Sequence, residues 1–180
     1  MSQLAALSVS IAVLGGVWAF LALGPLAGSV LVWAGFIAWG CYFHSGADNA
    51  ALKKTIAGTI YGAVLAWIAL LLVVHNPVGL PDGVAAPVYV AVTVFFLVIV
   101  AGCNLLSTVP ANVYGYAATV AYSLHQPTVE GVGPLASLFV IDMSNPLLLL
   151  SVSFVLGAVF GMISGKVAGL LGKVAGLLGK

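Results

Sequence analysis

The side chains that could do chemistry are few, and most of them fall in one stretch. Between Cys103 and Thr119 the sequence CNLLSTVPANVYGYAAT gathers Asn104, Ser107, Thr108, Asn112, Tyr114, Tyr116 and Thr119 around Pro110. Amide and hydroxyl groups give and take hydrogen bonds without carrying charge, so what they offer is recognition of a small neutral solute or of water. Ser107 or Thr108 can cap a helix that has Pro110 in its first turn, where the missing N–H costs nothing. That puts free backbone N–H donors beside polar side chains, which is how many transporters build a solute site from a broken helix. The expected solute pathway is Asn104, Ser107, Thr108, Asn112, Tyr116 and Thr119. An ordinary short turn between two helices would also account for the Ser, Thr and Pro residues and for Asn112. It accounts less well for Asn104 and for a polar face at Asn112, Tyr116 and Thr119.

Other chemistries lack their residues. No phosphate-binding glycine loop, G-x-S-x-G, HExxH or CxxC occurs, and enzymatic activity is not expected. Asp48, Asp82, Glu130 and Asp142 all fall in polar connections, so neither an intramembrane protease nor a proton relay is indicated. His44, His75 and His125 each stand at the end of an apolar run and do not form a metal site by spacing. Cys41 and Cys103 lie inside apolar runs and are expected to pack, with no disulfide, metal or cofactor implied. A net charge of +1 gives no basic footprint for nucleic acid.

The elements that must position the polar stretch follow from composition. Hydrophobic residues make up 63% of the 180 residues and charged residues 5%, and the mean hydropathy is +1.24. Such a chain cannot cover its surface in water, so a lipid bilayer must be its solvent. The fold class expected is an all-α polytopic membrane bundle of about six transmembrane helices. The runs are Leu4 to Leu23, Leu26 to Phe43, Thr55 to Val74, Val88 to Leu106, Ser107 to Leu124 and Pro146 to Ser164. The fifth is short and polar, and could be broken or re-entrant. PLASLFVI, before the sixth run, could form a short interfacial or re-entrant helix. No secretory signal is read at the N-terminus. Six spans with both termini in the cytoplasm would put all five lysines there, as the retention of Lys and Arg on that side requires. Asp82, Glu130 and Asp142 would then lie outside.

Residues 1–164 form the expected bundle and 165–180 a cationic amphipathic tail, in which GKVAGLL occurs twice in succession. The repeat reads either as a helix on the inner leaflet or as a duplication without a role. Gly58 and Gly62, and Gly157, Gly161, Gly165 and Gly169, recur every fourth position. They are expected to let helices approach closely, within one chain or between copies in a homo-oligomer. Trp18, Trp33, Trp39 and Trp67, with Tyr42 and Tyr89, are expected to lie mostly in aromatic belts at the lipid headgroups.

GGVWAF (Gly15 to Phe20), WAGFIAWGCYF (Trp33 to Phe43), YGAVLAW (Tyr61 to Trp67) and VPANVYGYAATVA (Val109 to Ala121) together resemble a family of small bacterial inner-membrane proteins known as domain of unknown function 1097. The resemblance reaches to about Gly165 and implies a multi-pass inner-membrane protein, with no activity attached. YGAVLAW followed by LSTVPANVYGYAATVA also resembles, more weakly, one half of a urea transporter. That likeness implies that one chain would be half a unit, although the phenylalanine closing that family's proline motif is missing. The functional expectation is a homo-oligomeric channel or facilitator for a small neutral solute. The alternative is an accessory or structural membrane protein without a path.

Overall fold

The computed structural model describes residues 2–126 and 135–178, and those residues build six α-helices with no strand among them. They are α1 (Gln3–Leu23), α2 (Val32–His44), α3 (Asn49–His75), α4 (Ala85–Ile99), α5 (Val109–Leu124) and α6 (Pro146–Leu178). Local chemistry sets their ends. The Ser2 hydroxyl accepts from the Ala5 N–H and the Asp48 carboxylate from the Ala51 N–H, so each caps a helix start. Asn145 accepts from the Leu147 N–H just before Pro146, the first residue of α6. α3 stops at Asn76, which adopts a left-handed conformation (φ 40°). Its side chain then ties down the next loop through the Leu80 backbone and the Tyr89 hydroxyl.

Side-chain contacts fix the helix directions. Thr55 on α3 meets Cys41 on α2, and the Tyr61 hydroxyl on α3 donates to the Phe96 carbonyl on α4. Thr93 on α4 meets Tyr116 on α5, and Tyr122 on α5 packs with Leu147 on the core shared with α6. Each helix therefore runs antiparallel to the next. The closest pairs, however, are parallel. α2 lies along α6, with Leu31 beside Ser153, Gly35 beside Gly157 and Trp39 beside Gly161. α5 lies along α3, with Ala111 beside Gly58 and Asn112 and Tyr116 beside Gly62. On the outside α1 packs antiparallel on α6, with Ser10 against Ser164 and Trp18 against Phe160. α4 packs in the same way on α3.

These pairings make one pattern written twice. Replacing α1, α2 and α3 by α4, α5 and α6 turns each major contact into another: α1 on α6 becomes α4 on α3, and α2 on α6 becomes α5 on α3. Equivalent helices point in opposite directions, so the two three-helix halves are related by an approximate two-fold axis lying across the helices. Ala63 on α3 and Ala158 on α6, both fully buried, belong to the same core cluster.

The expected span count is met in part. Four helices are long and apolar enough to cross a membrane by themselves, over Gln3–Leu23, Asn49–His75, Ala85–Gly102 and Pro146–Ala175. α2 and α5 have 13 and 16 residues, about 20 and 24 Å at 1.5 Å per residue, short of the roughly 30 Å hydrocarbon core. The second apolar run is helical only from Val32, because Gly24-Pro25 breaks the chain and Gly28 turns it at φ 80°. α6 continues without a break into the GKVAGLL repeat, so the tail extends that helix.

The expected aromatic belts are also corrected. Trp18, Trp39, Tyr42 and Tyr89 are buried inside the chain. The Trp18 indole N–H donates to the Val32 carbonyl and that of Trp39 to the Ser164 hydroxyl. A buried indole needs an acceptor for its N–H, and both of these find one inside the chain.

Candidate functional site

The polar stretch begins where α4 comes apart. After Ile99 the chain makes a 3-10 turn over Val100–Gly102, extends at Cys103, turns again over Asn104–Leu106, and starts α5 at Val109 with Pro110 in its first turn. Broken backbone leaves carbonyls without helical N–H partners, and in an apolar surrounding each must be answered. Asn112 answers two of them. Fully buried, it donates from Nδ2 to the Leu97 carbonyl at 3.2 Å and to the Leu106 carbonyl at 3.1 Å. Its Oδ1 is buried without a partner and points at Gly58, where a Cβ would come within 2.7 Å of it. The absence of a side chain at Gly58 is what admits this amide.

The other half has its own answer at the equivalent break. The Leu31 N–H, at the start of α2, donates to the Ser153 hydroxyl at 2.9 Å, and that hydroxyl donates on to the Leu149 carbonyl. Ser153 is fully buried on α6. The sequence held a signal for it that was missed: Ser153 continues the four-residue row of Gly157, Gly161 and Gly165 by one step. In that row a Cβ on Gly157 would run into the Gly35 backbone and one on Gly161 would press on Trp39 and Tyr42, while Gly165 is merely near Phe43. In the other row Gly58 and Gly62 meet Ala111, Asn112 and Tyr116. Both rows pack helices within one chain.

The six residues expected to line a pathway do not come together on one surface. Asn112 and Thr119 are fully buried and Tyr116 nearly so. Thr93 gives its own proton to the Tyr89 carbonyl, so the Tyr116 hydroxyl donates to Thr93. Thr119 bonds back to the Gly115 carbonyl. Ser107 donates to the Asn104 carbonyl, and Thr108 precedes α5 without a side-chain capping bond. Asn104 is exposed and lines a cavity of about 270 Å³ with Ala50, Lys53, Lys54 and Leu105.

A different surface has the form of a site. Between α2 and α5 lies a groove of about 330 Å³ lined by Phe36, Ile37, Gly40, Cys41, Tyr114, Ala117 and Ala118. Ile37 and Tyr114 stand equally far past the caps Leu31 and Thr108, as do Gly40 and Ala117, and Cys41 and Ala118. The groove therefore sits on the approximate two-fold axis. Further along the same pair of helices is a second cavity of about 410 Å³ lined by Trp33, Ala121, Tyr122, His125 and Gln126. A third, of about 520 Å³, lies beside the 3-10 turn Ala136–Phe139. There the Trp67 indole and the Asn145 amide both donate to the Leu138 carbonyl. This turn is all the helix that forms in PLASLFVI; Pro134 and Glu130 fall outside the described residues.

Among the described residues no group of His, Cys, Asp and Glu is placed to hold a metal ion. Both cysteines are free; Cys41 is buried as expected, but Cys103 is exposed in the break after α4. Lys53, Lys54 and Lys166 lie toward one end of the bundle, and Asp82 and Asp142 lie in connections at the other. Lys180 is outside the described residues.

No curated protein and no solved structure matches the chain, so the likeness to half of a urea transporter stays a likeness of motif order. A family model described as protein of unknown function (DUF1097) matches residues 8–169, and the chain belongs to that family.

Proposed function

We propose that the chain is a facilitator for small neutral solutes, made of two inverted three-helix halves that together cross the bacterial inner membrane six times and work as a homo-oligomer. The observation that carries this reading is the inverted pairing of α1–α3 with α4–α6. Inverted repeats with broken helices are a recurring transporter architecture, with the solute site near the bilayer midplane between the repeats. Alternating helix directions support six crossings. At the breaks before α2 and α5, Ser153 accepts the Leu31 N–H and Asn112 donates to the Leu97 and Leu106 carbonyls, as exposed backbone in an apolar surrounding requires. With the lysine-bearing end in the cytoplasm, both termini lie there.

In this reading the path follows the α2–α5 groove and not the buried face of Asn112, Tyr116 and Thr119. Its wall offers the Tyr114 hydroxyl and apolar surface, and no charged group, which suits weakly polar solutes. The test is light scattering from proteoliposomes challenged with short amides and polyols. Flux above protein-free vesicles, removed by Ala117→Phe, is expected. Failure of every solute to cross would sink the reading and favour an accessory or structural protein. The hydrogen-bonded closure of the α4–α5 break supports that second reading as well.

A further inference from the structure

We propose that the cavity between the first turns of α3 and the break after α4 binds the phosphate of an anionic phospholipid. The cavity follows from how far two parallel helices reach. Gly58, nine residues after the start of α3, lies beside Ala111, two residues after the start of α5. α3 therefore projects about 10 Å beyond the start of its neighbour, and the 3-10 turn Asn104–Leu106 stands against the part that projects. The space between them is a cavity of about 270 Å³ lined by Ala50, Lys53, Lys54, Asn104 and Leu105. One wall is a single helix face, since Ala50, Lys53 and Lys54 stand at i, i+3 and i+4. The other wall is held in place: Asn112 donates to the Leu106 carbonyl and Ser107 to the Asn104 carbonyl.

Charge and depth name the occupant. Two lysines line one cavity at the N-terminal end of a helix, where the backbone dipole is itself positive and favours anions. The first turn of α3 holds no acidic residue. Asp48 is committed to the Ala51 N–H, on the side where the Tyr42 hydroxyl of α2 donates to the Ala47 carbonyl. Asp82 and Asp142 lie in connections at the opposite end of the bundle. An anion between Lys53, Lys54 and the Asn104 amide relieves this repulsion through charge-assisted hydrogen bonds. Retention of lysine on one side of a membrane explains the two charges, but not the cavity they share with an amide and a leucine. α3 has 27 residues, about 40 Å at 1.5 Å per residue, and so overreaches the roughly 30 Å hydrocarbon core by about 5 Å at each end. Lys53 and Lys54 begin about 6 Å from the start of the helix, at the boundary where lipid phosphates give way to acyl chains. Leu105, on the opposite wall, is 49% exposed. A phosphodiester attached to acyl chains uses both the ammonium groups and the apolar surface of Ala50 and Leu105, whereas free phosphate uses only the first. This site is separate from the α2–α5 groove and stands whether or not a solute crosses there.

The experiment is native mass spectrometry of the full chain released from detergent micelles, titrated with phosphatidylglycerol and separately with phosphatidylethanolamine. Phosphatidylglycerol should bind about tenfold or more tighter than phosphatidylethanolamine. Lys53→Gln combined with Lys54→Gln should weaken phosphatidylglycerol binding about tenfold or more and remove the preference. Lys166→Gln combined with Lys173→Gln takes the same charge from α6 and should leave the affinity within about twofold. Asn104→Asp, which keeps both lysines and sets a negative charge on the opposite wall, should weaken binding as strongly as the Lys53 and Lys54 pair. All five side chains are exposed or half-buried, so thermal unfolding of the variants should match that of the unaltered chain. Equal binding of the two lipids, or equal loss from the two lysine pairs, overturns the proposal by reducing it to diffuse surface attraction. Unchanged binding in Asn104→Asp overturns it too, by placing the lipid outside the cavity. Glycerol 3-phosphate that displaces the lipid at equal concentration would overturn the lipid assignment and give the cavity to a soluble phosphate.

Discussion

Ser153 and Ser123 are both fully buried serines that bond back to a carbonyl four residues earlier. They differ in one respect: Ser153 also accepts the Leu31 N–H at the broken start of α2. Ser123→Ala removes only a back-bond to a carbonyl that keeps its helical partner, and should cost under about 0.5 kcal/mol. Ser153→Ala strands a partly buried N–H, which costs about 1 to 3 kcal/mol. Because the atoms deleted are the same and the burial is the same, the difference between the variants isolates the bond across the break. The measurement is reversible unfolding in mixed detergent micelles, followed by circular dichroism, together with hydrogen exchange at Leu31. A 1 kcal/mol opening penalty corresponds to about a fivefold change in exchange, so Leu31 should exchange roughly 5- to 150-fold faster in Ser153→Ala. If the two variants have equal stability and Leu31 exchange is unmoved, polar side chains are not what holds the broken segments in the bundle.

Three further outcomes follow from the same packing. Asn112→Asp, which replaces the donor facing two carbonyls by a buried charge, should cost about 3 to 5 kcal/mol in the same unfolding assay. Asn112→Leu should cost less, because it removes the partnerless Oδ1 together with the donor. Gly157→Ala should destabilise by about 1 to 3 kcal/mol or more, since its Cβ would meet the Gly35 backbone. Gly169→Ala, with open space around it, should instead gain up to about 1 kcal/mol. At the far end of the bundle, bonds from the Ser144 hydroxyl and then from its N–H hold the exposed Asp142 carboxyl below its ordinary value of 3.8. A depressed folded pKa means that the turn is fully supported above that value and loosens as pH falls through the lower folded one. Amide resonances of Ser144 and Asn145 should therefore stay fixed from neutral pH to about 4 and move below it.

The membrane class, the all-helical fold and the glycine rows were legible because composition and four-residue spacing report directly on solvent and on close helix approach. The lengths of α2 and α5 were not. Hydropathy averages over Leu26 to Phe43 without registering that Gly28 turns the backbone, so an apolar stretch of full span length contains a helix only from Val32 onward. The bonding of Asn112 was not legible for a related reason. An uncharged polar residue beside a proline break fits two physical demands equally, binding a solute and satisfying the backbone that the break exposes. Sequence alone does not say which carbonyls lie within reach. The structure places those of Leu97 and Leu106 on its amide.

Why the two halves escape notice in the sequence follows from the same division of labour. An inverted repeat needs equivalent helices to meet equivalent neighbours, and it does not need the same residues to do so. Gly35 against Gly157 and Asn112 against Gly62 are equivalent contacts between backbones, one using two glycines and the other a glycine and an asparagine. The broken start of α2 is answered by Ser153 from the partner helix, whereas the break before α5 is answered by Asn112 from within α5 itself. The two halves thus meet their breaks with different side chains, one accepting an N–H and the other donating to carbonyls. Packing inside the chain accounts for Gly35, Gly58, Gly62, Gly115 and Gly157, where a Cβ would strike a neighbouring helix, so the small residues that both halves share at these crossings are set by backbone approach and not by a common sequence.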